Sequence, residues 1–335
     1  MVNLQKEFID FHDEIKLSDE NEILREKRDI LLTKLRKNIS EDLPSYTSFN
    51  QGSYAMGTGI KPEDGDYDID VGLKFSIDKD DYSDPVDPKI WVRDALKNHT
   101  KSVTVRRSCV TVTYQKDDEP EYHVDFAVYA NANKDEKMYI SKGKEYSDED
   151  HRYWELSDPQ QLISLVKGKF DGEDAKQFRR VIRYLKKWKD HNSMLDGNGA
   201  PTGISLTILA YDFFAVAKEY DSFNCRYEYN DFAALKSLVE SIRGKFVLKY
   251  GGSDIGYYHQ ISAALPVEPK NNLFEKMTAR QMETLYEEIC SMFDELKKVE
   301  DQTKKSAACE ILANLFGEEF PIAADRSYVG TSESA

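Results

Sequence analysis

Residues 50–75, NQGSYAMGTGIKPEDGDYDIDVGLKF, decide how the rest of this chain is read. The last nine, YDIDVGLKF, alternate apolar and polar, which predicts a strand with Ile69, Val71, Leu73 and Phe75 on its buried face. Asp68, Asp70, Gly72 and Lys74 take the other face. Two carboxylates at i and i+2 stand roughly 7 Å apart on a strand that rises about 3.3 Å per residue. At that spacing they repel each other and can share metal ions. Upstream, Gly52-Ser53 sits at a predicted strand-to-helix corner, where backbone N–H groups and a hydroxyl can meet phosphate oxygens. Downstream, EYHVDFAVYA places Tyr122, Val124, Phe126 and Val128 on a core face, and Asp125 opposite with His123 and Ala127. A lone D-x-D is more often a solvated strand face, a lone Gly-Ser a common turn, and a lone strand aspartate an edge charge. The three together form a specific constellation.

Composition bounds the alternatives. A chain of 335 residues with 40% hydrophobic and 12% aromatic content can bury a large core, and two lobes are expected. No apolar run approaches the roughly 20 residues that span a bilayer, and MVNLQKEFID does not read as a signal peptide. Cys109, Cys225, Cys290 and Cys309 are scattered, without a C-x-x-C pair or histidines at ligand spacing, so neither a zinc site nor a disulfide framework is expected. These features predict a reduced, cytoplasmic protein with no membrane partner. The net charge is −15, the wrong sign for a protein whose main task is gripping a nucleic-acid backbone. It does not exclude polyphosphate substrates, because a metal ion can supply positive charge locally.

Along the chain, Asp19 and Glu22 read as a capping box for a helix whose Ile23, Ile30, Leu31, Leu35 and Ile39 recur on one face. DPKIWVRDAL predicts a short helix with Asp87 as cap and Pro88 first. SVTVRRSCVTVTYQ and EYHVDFAVYA, separated by the turn-like KDDEP, predict antiparallel strands. Beyond these the pattern becomes helical. Ser157 with a glutamine three residues on reads as a second capping box. EDAKQFRRVIRYLKKWKDHN carries Phe178, Val181, Ile182, Leu185 and Trp188 on one stripe. PTGISLTILAYDFFAVAKEY reads as one buried helix, and TARQMETLYEEICSMFDELKKV and KSAACEILANLFG as two more. The stretch AADRSYVGTSESA lacks an apolar face and predicts a flexible tail. Arg179, Arg183 and Lys186 fall at i, i+4 and i+7, a basic stripe in an acidic chain that is either a solvated helix face or a triphosphate clamp.

The motif GSYAMGT … DYDIDVGLKF … VDFAVY resembles the active site of the polymerase-β-like nucleotidyltransferases, and most closely the cyclic GMP-AMP synthase/DncV-like branch, the CD-NTases. The resemblance implies an α+β fold. A nucleotidyltransferase lobe with a mixed, largely antiparallel sheet and an N-terminal helix would span residues 1–155, a helical C-terminal lobe 156–322, and the tail 323–335. It implies that Gly52 and Ser53, with Gln51 beside them, bind a triphosphate, and that Asp68, Asp70 and Asp125 are catalytic and hold two Mg2+ ions, for which Mn2+ can substitute. Lys186 matches a lysine that reaches donor phosphates, with Arg183 on the same stripe. Relatives often carry a polar residue and an aromatic at the start of the next helix. Here those positions fall on Gly203 and Ile204, and Thr202 and Ser205 are the nearby hydroxyls.

The implied reaction is attack of a ribose hydroxyl on the α-phosphate of an NTP (ATP, GTP or both), closing a cyclic di- or trinucleotide. In bacteria such products activate an effector protein during phage infection. The same resemblance implies that no DNA activator is obligatory, since no His/Cys cluster builds a zinc thumb, and that a ubiquitin-like machinery could act on Ala335. Rival readings are an RNA 3′-end nucleotidyltransferase, which the net charge disfavours, an antibiotic nucleotidyltransferase, and a non-enzymatic antitoxin-like module, against which the intact carboxylates argue.

Overall fold

The computed structural model describes residues 2–323 apart from 18–19, 64, 101, 117–118 and 196–199; at 116 and 119–121 the backbone alone is described. Two helices open the chain, α1 (Gln5–Ile15) and α2 (Glu20–Asn38). Strand β1 (Tyr46–Asn50) leads into the single-turn helix α3 (Gly52–Met56), and β2 (Tyr67–Phe75) and α4 (Asp87–Leu96) follow. The sheet is completed by β3 (Ser102–Val105), β4 (Val110–Lys116), β5 (Glu119–Ala130), β6 (Tyr139–Lys142) and β7 (Tyr153–Leu156). These seven strands run in the order β1-β2-β5-β4-β3, with β6 on β5 and β7 on β6. Every pairing is antiparallel except β2 with β5, which is parallel and sets Asp70 directly beside Asp125.

The second half is built from α5 (Pro159–Lys167), α6 (Gly172–His191), α7 (Gly203–Phe213), α8 (Asp231–Arg243), α9 (Ala279–Glu300) and α10 (Lys305–Phe316). Two small hairpins interrupt it, β8 (Lys218–Asp221) with β9 (Arg226–Tyr229) and β10 (Val247–Tyr250) with β11 (Tyr257–Gln260). There are two main cores. One face of the sheet, with Ile69, Val71, Leu73, Phe75, Val124, Phe126 and Val128, packs against α2 and α4. The helical core gathers around Phe178, Val181, Ile182, Leu185 and Trp188 of α6, the five positions that the periodicity singles out. Among the described residues no helix is long and apolar enough to cross a membrane.

α1 belongs to this helical core. Its Phe8, Phe11 and Ile15 fall one to two turns apart and are fully buried. Phe11 stacks on Tyr184 with ring centroids 5.5 Å apart, and Tyr184 donates its hydroxyl to the Phe8 carbonyl at 2.8 Å. Beneath, the buried Asp231 carboxylate accepts from Arg180, Gln177 and Tyr184, while its own N–H donates to the Gln5 side chain, so a buried charge is fully partnered.

Several local expectations need correction. In α2 the buried stripe is Leu24, Leu31 and Leu35, whereas Ile23 and Ile30 are 38% and 42% exposed; the apolar repeat was compatible with two rotations, and packing on the sheet selects the leucines. Asp19 lies outside the described residues, as do residues 117–118 of the KDDEP turn and the tail from 324 to Ala335. Asp87 is the first helical residue of α4 and makes no side-chain cap; Val86 holds the cap position. The α5 cap is Asp158, which accepts from the Gln161 N–H, in place of Ser157. SVTVRRSCVTVTYQ is two strands, because Arg106 donates to the Cys109 carbonyl and closes a turn. α7 ends at Phe213, where Phe214 turns extended and the chain runs on into β8.

The register of α2 is testable by equilibrium denaturation. Leu24→Ala should cost about 2–4 kcal/mol, as a leucine emptied from a core does. Ile23→Ala, on the solvent side, should stay within about 0.5 kcal/mol of the parent.

Candidate active site

The site forms where β2, β5 and α3 meet α5, α6 and α7. Parallel pairing places Asp68 beside His123 and Asp70 beside Asp125 on the sheet face that the α2–α4 core leaves uncovered. Across the antiparallel β4, Thr111 donates its hydroxyl to Asp125 Oδ1 at 2.6 Å and so orients that carboxylate. Asp68 is open to the cleft, and Asp70 and Asp125 are half-buried.

Gly52 ties the first motif to the second. Its φ is +66°, a left-handed backbone that glycine adopts without strain. A Cβ there would stand 1.8 Å from Asp70 Oδ2, so the carboxylate lies over the bare Cα of Gly52. The Gln51 N–H donates to the Asp70 carbonyl at 3.0 Å, and Thr58 N–H donates to the Ser53 carbonyl at 2.9 Å, which folds the loop after α3 back onto the Gly-Ser pair. Gly72 has a different task on the same strand: a Cβ there would lie 2.2 Å from the Phe49 ring, which fills the space.

A cavity of about 460 Å3 opens at this corner. Gln51, Gly52, Ser53, Asp68, Asp70 and Lys186 line its polar side, and Met56, Ile60, Leu162, Ile163, Ile204 and Leu206 its apolar side. Lys186 is buried and donates to the carbonyl and hydroxyl of Thr58 at 3.1 and 3.2 Å. Gln51 accepts at Oε1 from the buried Tyr129 hydroxyl at 2.8 Å, which leaves its amide N–H groups for the cavity.

Electrostatics at this corner are dominated by uncompensated negative charge. Burial and the neighbouring Asp68 and Asp125 push the Asp70 carboxyl up to about 7. Desolvation by the cleft walls and the Asp125 charge raise Asp68 as well. Lys186 is driven down to about 8 by burial and by the Arg183 charge, with Asp68 and Asp70 pulling the other way. Burial and Asp125 push the nearby Cys109 thiol up to about 12, so it is a poor nucleophile.

The donor set is three carboxylates, hard oxygen ligands suited to magnesium or manganese, and the raised Asp70 registers the charge that a divalent ion would neutralise. In donor type and charge the residues fit such an ion. The closed cage expected from the sequence is not preformed: among the described residues no group of three His, Cys, Asp or Glu side chains is gathered closely enough to hold a metal.

The remaining expected nucleotide contacts separate. Arg183 does not line this cavity. Its guanidinium donates to the carbonyls of Gly57 and Gly59, behind the loop. Thr202 caps α7 by accepting from the Ser205 N–H, and buried Ser205 donates back to the Thr202 carbonyl, so both hydroxyls serve the helix start. Thr207, two residues after Ser205, lines the cavity, and its hydroxyl donates to the Gly203 carbonyl at 2.7 Å. Sequence reasoning missed Thr58, Lys189 and Asp190. The two α6 residues lie three and four positions after Lys186, and that helical spacing could have flagged them.

A sheet with carboxylates on adjacent strands, a Gly-Ser corner and a capping helical lobe defines a nucleotidyltransferase. Residues 47–129 match the family model described as "Cyclic GMP-AMP synthase DncV-like, nucleotidyltransferase domain". Over nearly the whole chain the fold is that of Vibrio cholerae DncV cyclic AMP-GMP synthase, with TM-score 0.70 and 16% identity, covering 96% of this chain and 100% of that one. Two further solved structures share it. The Bradyrhizobium diazoefficiens CD-NTase CdnG, in complex with GTP, has TM-score 0.66 and 13% identity, covering 94% of this chain and 95% of its own. CdnC from Escherichia coli MS115-1, in a CdnC:HORMA-deltaN complex, has TM-score 0.64 and 17% identity, with 94% and 98% covered. Residues 47–129 thus match a DncV-like nucleotidyltransferase domain, and nearly the whole chain shares the fold of these solved CD-NTases.

Two variants probe this corner. Gly52→Ala should abolish nucleotide transfer, because the new methyl must displace the Asp70 carboxylate; activity within tenfold of the parent would contradict the packing described. Asp70→Asn should stabilise the metal-free protein. A carboxyl whose folded pKa is raised costs stability as pH rises from near 4, where it ionises in the unfolded chain, to about 7, where it ionises in the fold as well. In chelator, the melting-point gain should therefore be absent near pH 4, grow through this window, and level off above it at several degrees, on the order expected for a few kcal/mol.

Proposed function

We propose that this chain joins NTPs into a cyclic di- or trinucleotide. The observation that carries the reading is that Asp68 and Asp70 line one cavity with Gly52-Ser53 and Lys186, with Asp125 beside Asp70 on the next strand. Two magnesium ions held by the three aspartates, or manganese in their place, would supply Lewis-acid stabilisation for the attacking hydroxyl and the leaving pyrophosphate.

The chain's own residues do the rest. Gly52 and Ser53 offer N–H groups and a hydroxyl to the triphosphate, and Gln51 adds the amide donors that Tyr129 leaves free. Lys186 neutralises phosphate charge from the floor of the cavity. Asp125, whose Oδ1 accepts from Thr111, would take the proton of the attacking ribose hydroxyl. The apolar wall of Ile60, Leu162, Ile163 and Ile204 suits a nucleobase and keeps water from the phosphates.

The wider setting follows from the class. The product would activate an effector protein in bacterial anti-phage defence, inside the cytoplasm, without DNA as an activator. A ubiquitin-like machinery joining Ala335 to another protein would regulate synthesis. The acidity of the chain supports an NTP acceptor over an RNA 3′ end.

The test is incubation of the purified protein with all four NTPs and magnesium or manganese, without nucleic acid, followed by phosphatase. A metal-dependent product that survives phosphatase is expected, and Asp125→Asn should lower its rate by at least about a hundredfold. A linear ladder, or transfer that requires tRNA or an aminoglycoside, would overturn the cyclic reading. Because Lys186 loses its proton near pH 8 in the free protein, kcat/KM for NTP should fall above that pH, and Lys186→Met should flatten this limb while raising KM.

A further inference from the structure

Arg183 lies on the expected phosphate-binding stripe, and its guanidinium is hydrogen-bonded to the loop after α3 and to α1. Its Nε donates to the Gly59 carbonyl at 3.0 Å and one terminal nitrogen to the Gly57 carbonyl at 2.6 Å. The other terminal nitrogen meets His12 Nε2 of α1 at 3.1 Å. No carboxylate among the described residues pairs with it. Burial, with Arg179 nearby, pushes the guanidinium down to about 10. His12 is pushed down to about 4 by burial and by Arg183, so at neutral pH it is uncharged; with Nδ1–H turned to Asp13 at 3.1 Å, Nε2 is free to accept.

The two forked carbonyls flank Thr58. Thr58 donates its N–H to the Ser53 carbonyl and accepts Lys186 on both its carbonyl and its hydroxyl. The fork therefore grips the outer side of a three-residue segment whose inner side sets Lys186 against the Gly-Ser pair. α1 closes the same loop from behind. Lys61 N–H donates to the Ile15 carbonyl at 2.8 Å, and Lys16 pairs with Ile60 in an isolated antiparallel bridge.

We infer that Arg183 is a positioning residue, which with α1 as its backstop holds the Gly57–Ile60 loop so that Lys186 and Ser53 face one nucleotide triphosphate. This rests on the nucleotidyltransferase reading of the cavity. A fork across two carbonyls needs the planar spread of a guanidinium, which a lysine cannot reproduce. The role differs from an interlobe staple, which would hold the lobes together without setting the loop.

Three measurements on the full chain separate these roles: amide hydrogen exchange of peptides covering residues 57–60, reductive methylation of Lys186, and titration with the non-hydrolysable analogue α,β-methylene-ATP in magnesium. In Arg183→Gln, and likewise in Arg183→Lys, the loop should exchange at least tenfold faster. Lys186 should methylate faster and the analogue bind at least tenfold more weakly, while exchange in α8–α10 stays at the parent level. His12→Gln keeps an acceptor and should restore near-parent values, whereas His12→Leu should loosen the loop. An unchanged loop in Arg183→Gln overturns the inference, as does faster exchange spread evenly over the helical lobe, or a loosened loop with unaltered Lys186 labelling and analogue affinity. A parent protein that fails to bind the analogue sinks the nucleotidyltransferase reading instead, and loop exchange with Lys186 labelling then decides the clamp.

Discussion

Two strands that run side by side in the same direction bring Asp70 and Asp125 into register, and much of the structure answers the repulsion this creates. The Asp70 carboxylate rests on a glycine that has no side chain to resist it. Thr111 takes one oxygen of Asp125. Lys186 approaches from the helical lobe but is held on Thr58, close enough to feel the carboxylates without pairing with them. The residual charge is left unneutralised, and Asp70 carries the cost in its raised pKa. A site arranged this way is less stable empty than filled, which is how binding energy for a cation and a polyanion becomes available together.

The family match spans residues 47–129, which carry the parallel pair, while the fold is shared over nearly the whole chain. The strands that carry the carboxylates must keep sequence and register. The helical lobe need only supply an apolar wall and one lysine at the right height on α6. Many sequences can pack that way, and a fold can be shared at TM-score 0.70 with 16% identity.

Legibility followed the same division. The alternation in YDIDVGLKF and EYHVDFAVYA was readable because period-two patterning has one solution once a face is buried, and the structure puts Ile69, Val71, Leu73 and Phe75 in the core. The α6 stripe was readable for the equivalent helical reason. α2 was ambiguous because isoleucines and leucines sit next to each other, and only the sheet beneath tells which face is covered. α1 went unread, since its Phe8 and Phe11 are spaced among acids and their partners lie far along the chain. Arg183, Thr202 and Ser205 show the limit for site residues. Spacing says which side chains share a face, but a donor with a backbone carbonyl in reach is consumed there, and no pattern announces where a loop will return.

The docking of α1 has a consequence for how the protein is made. Phe8 meets Tyr184 across 176 residues of chain, and His12 meets Arg183 across 171. During synthesis α1 therefore has no surface to dock on until α6 and α8 have followed it, after the carboxylate strands can pair. An element made before its partners settles only after them, and an unfinished chain lacks the α6 contacts that hold the Gly57–Ile60 loop.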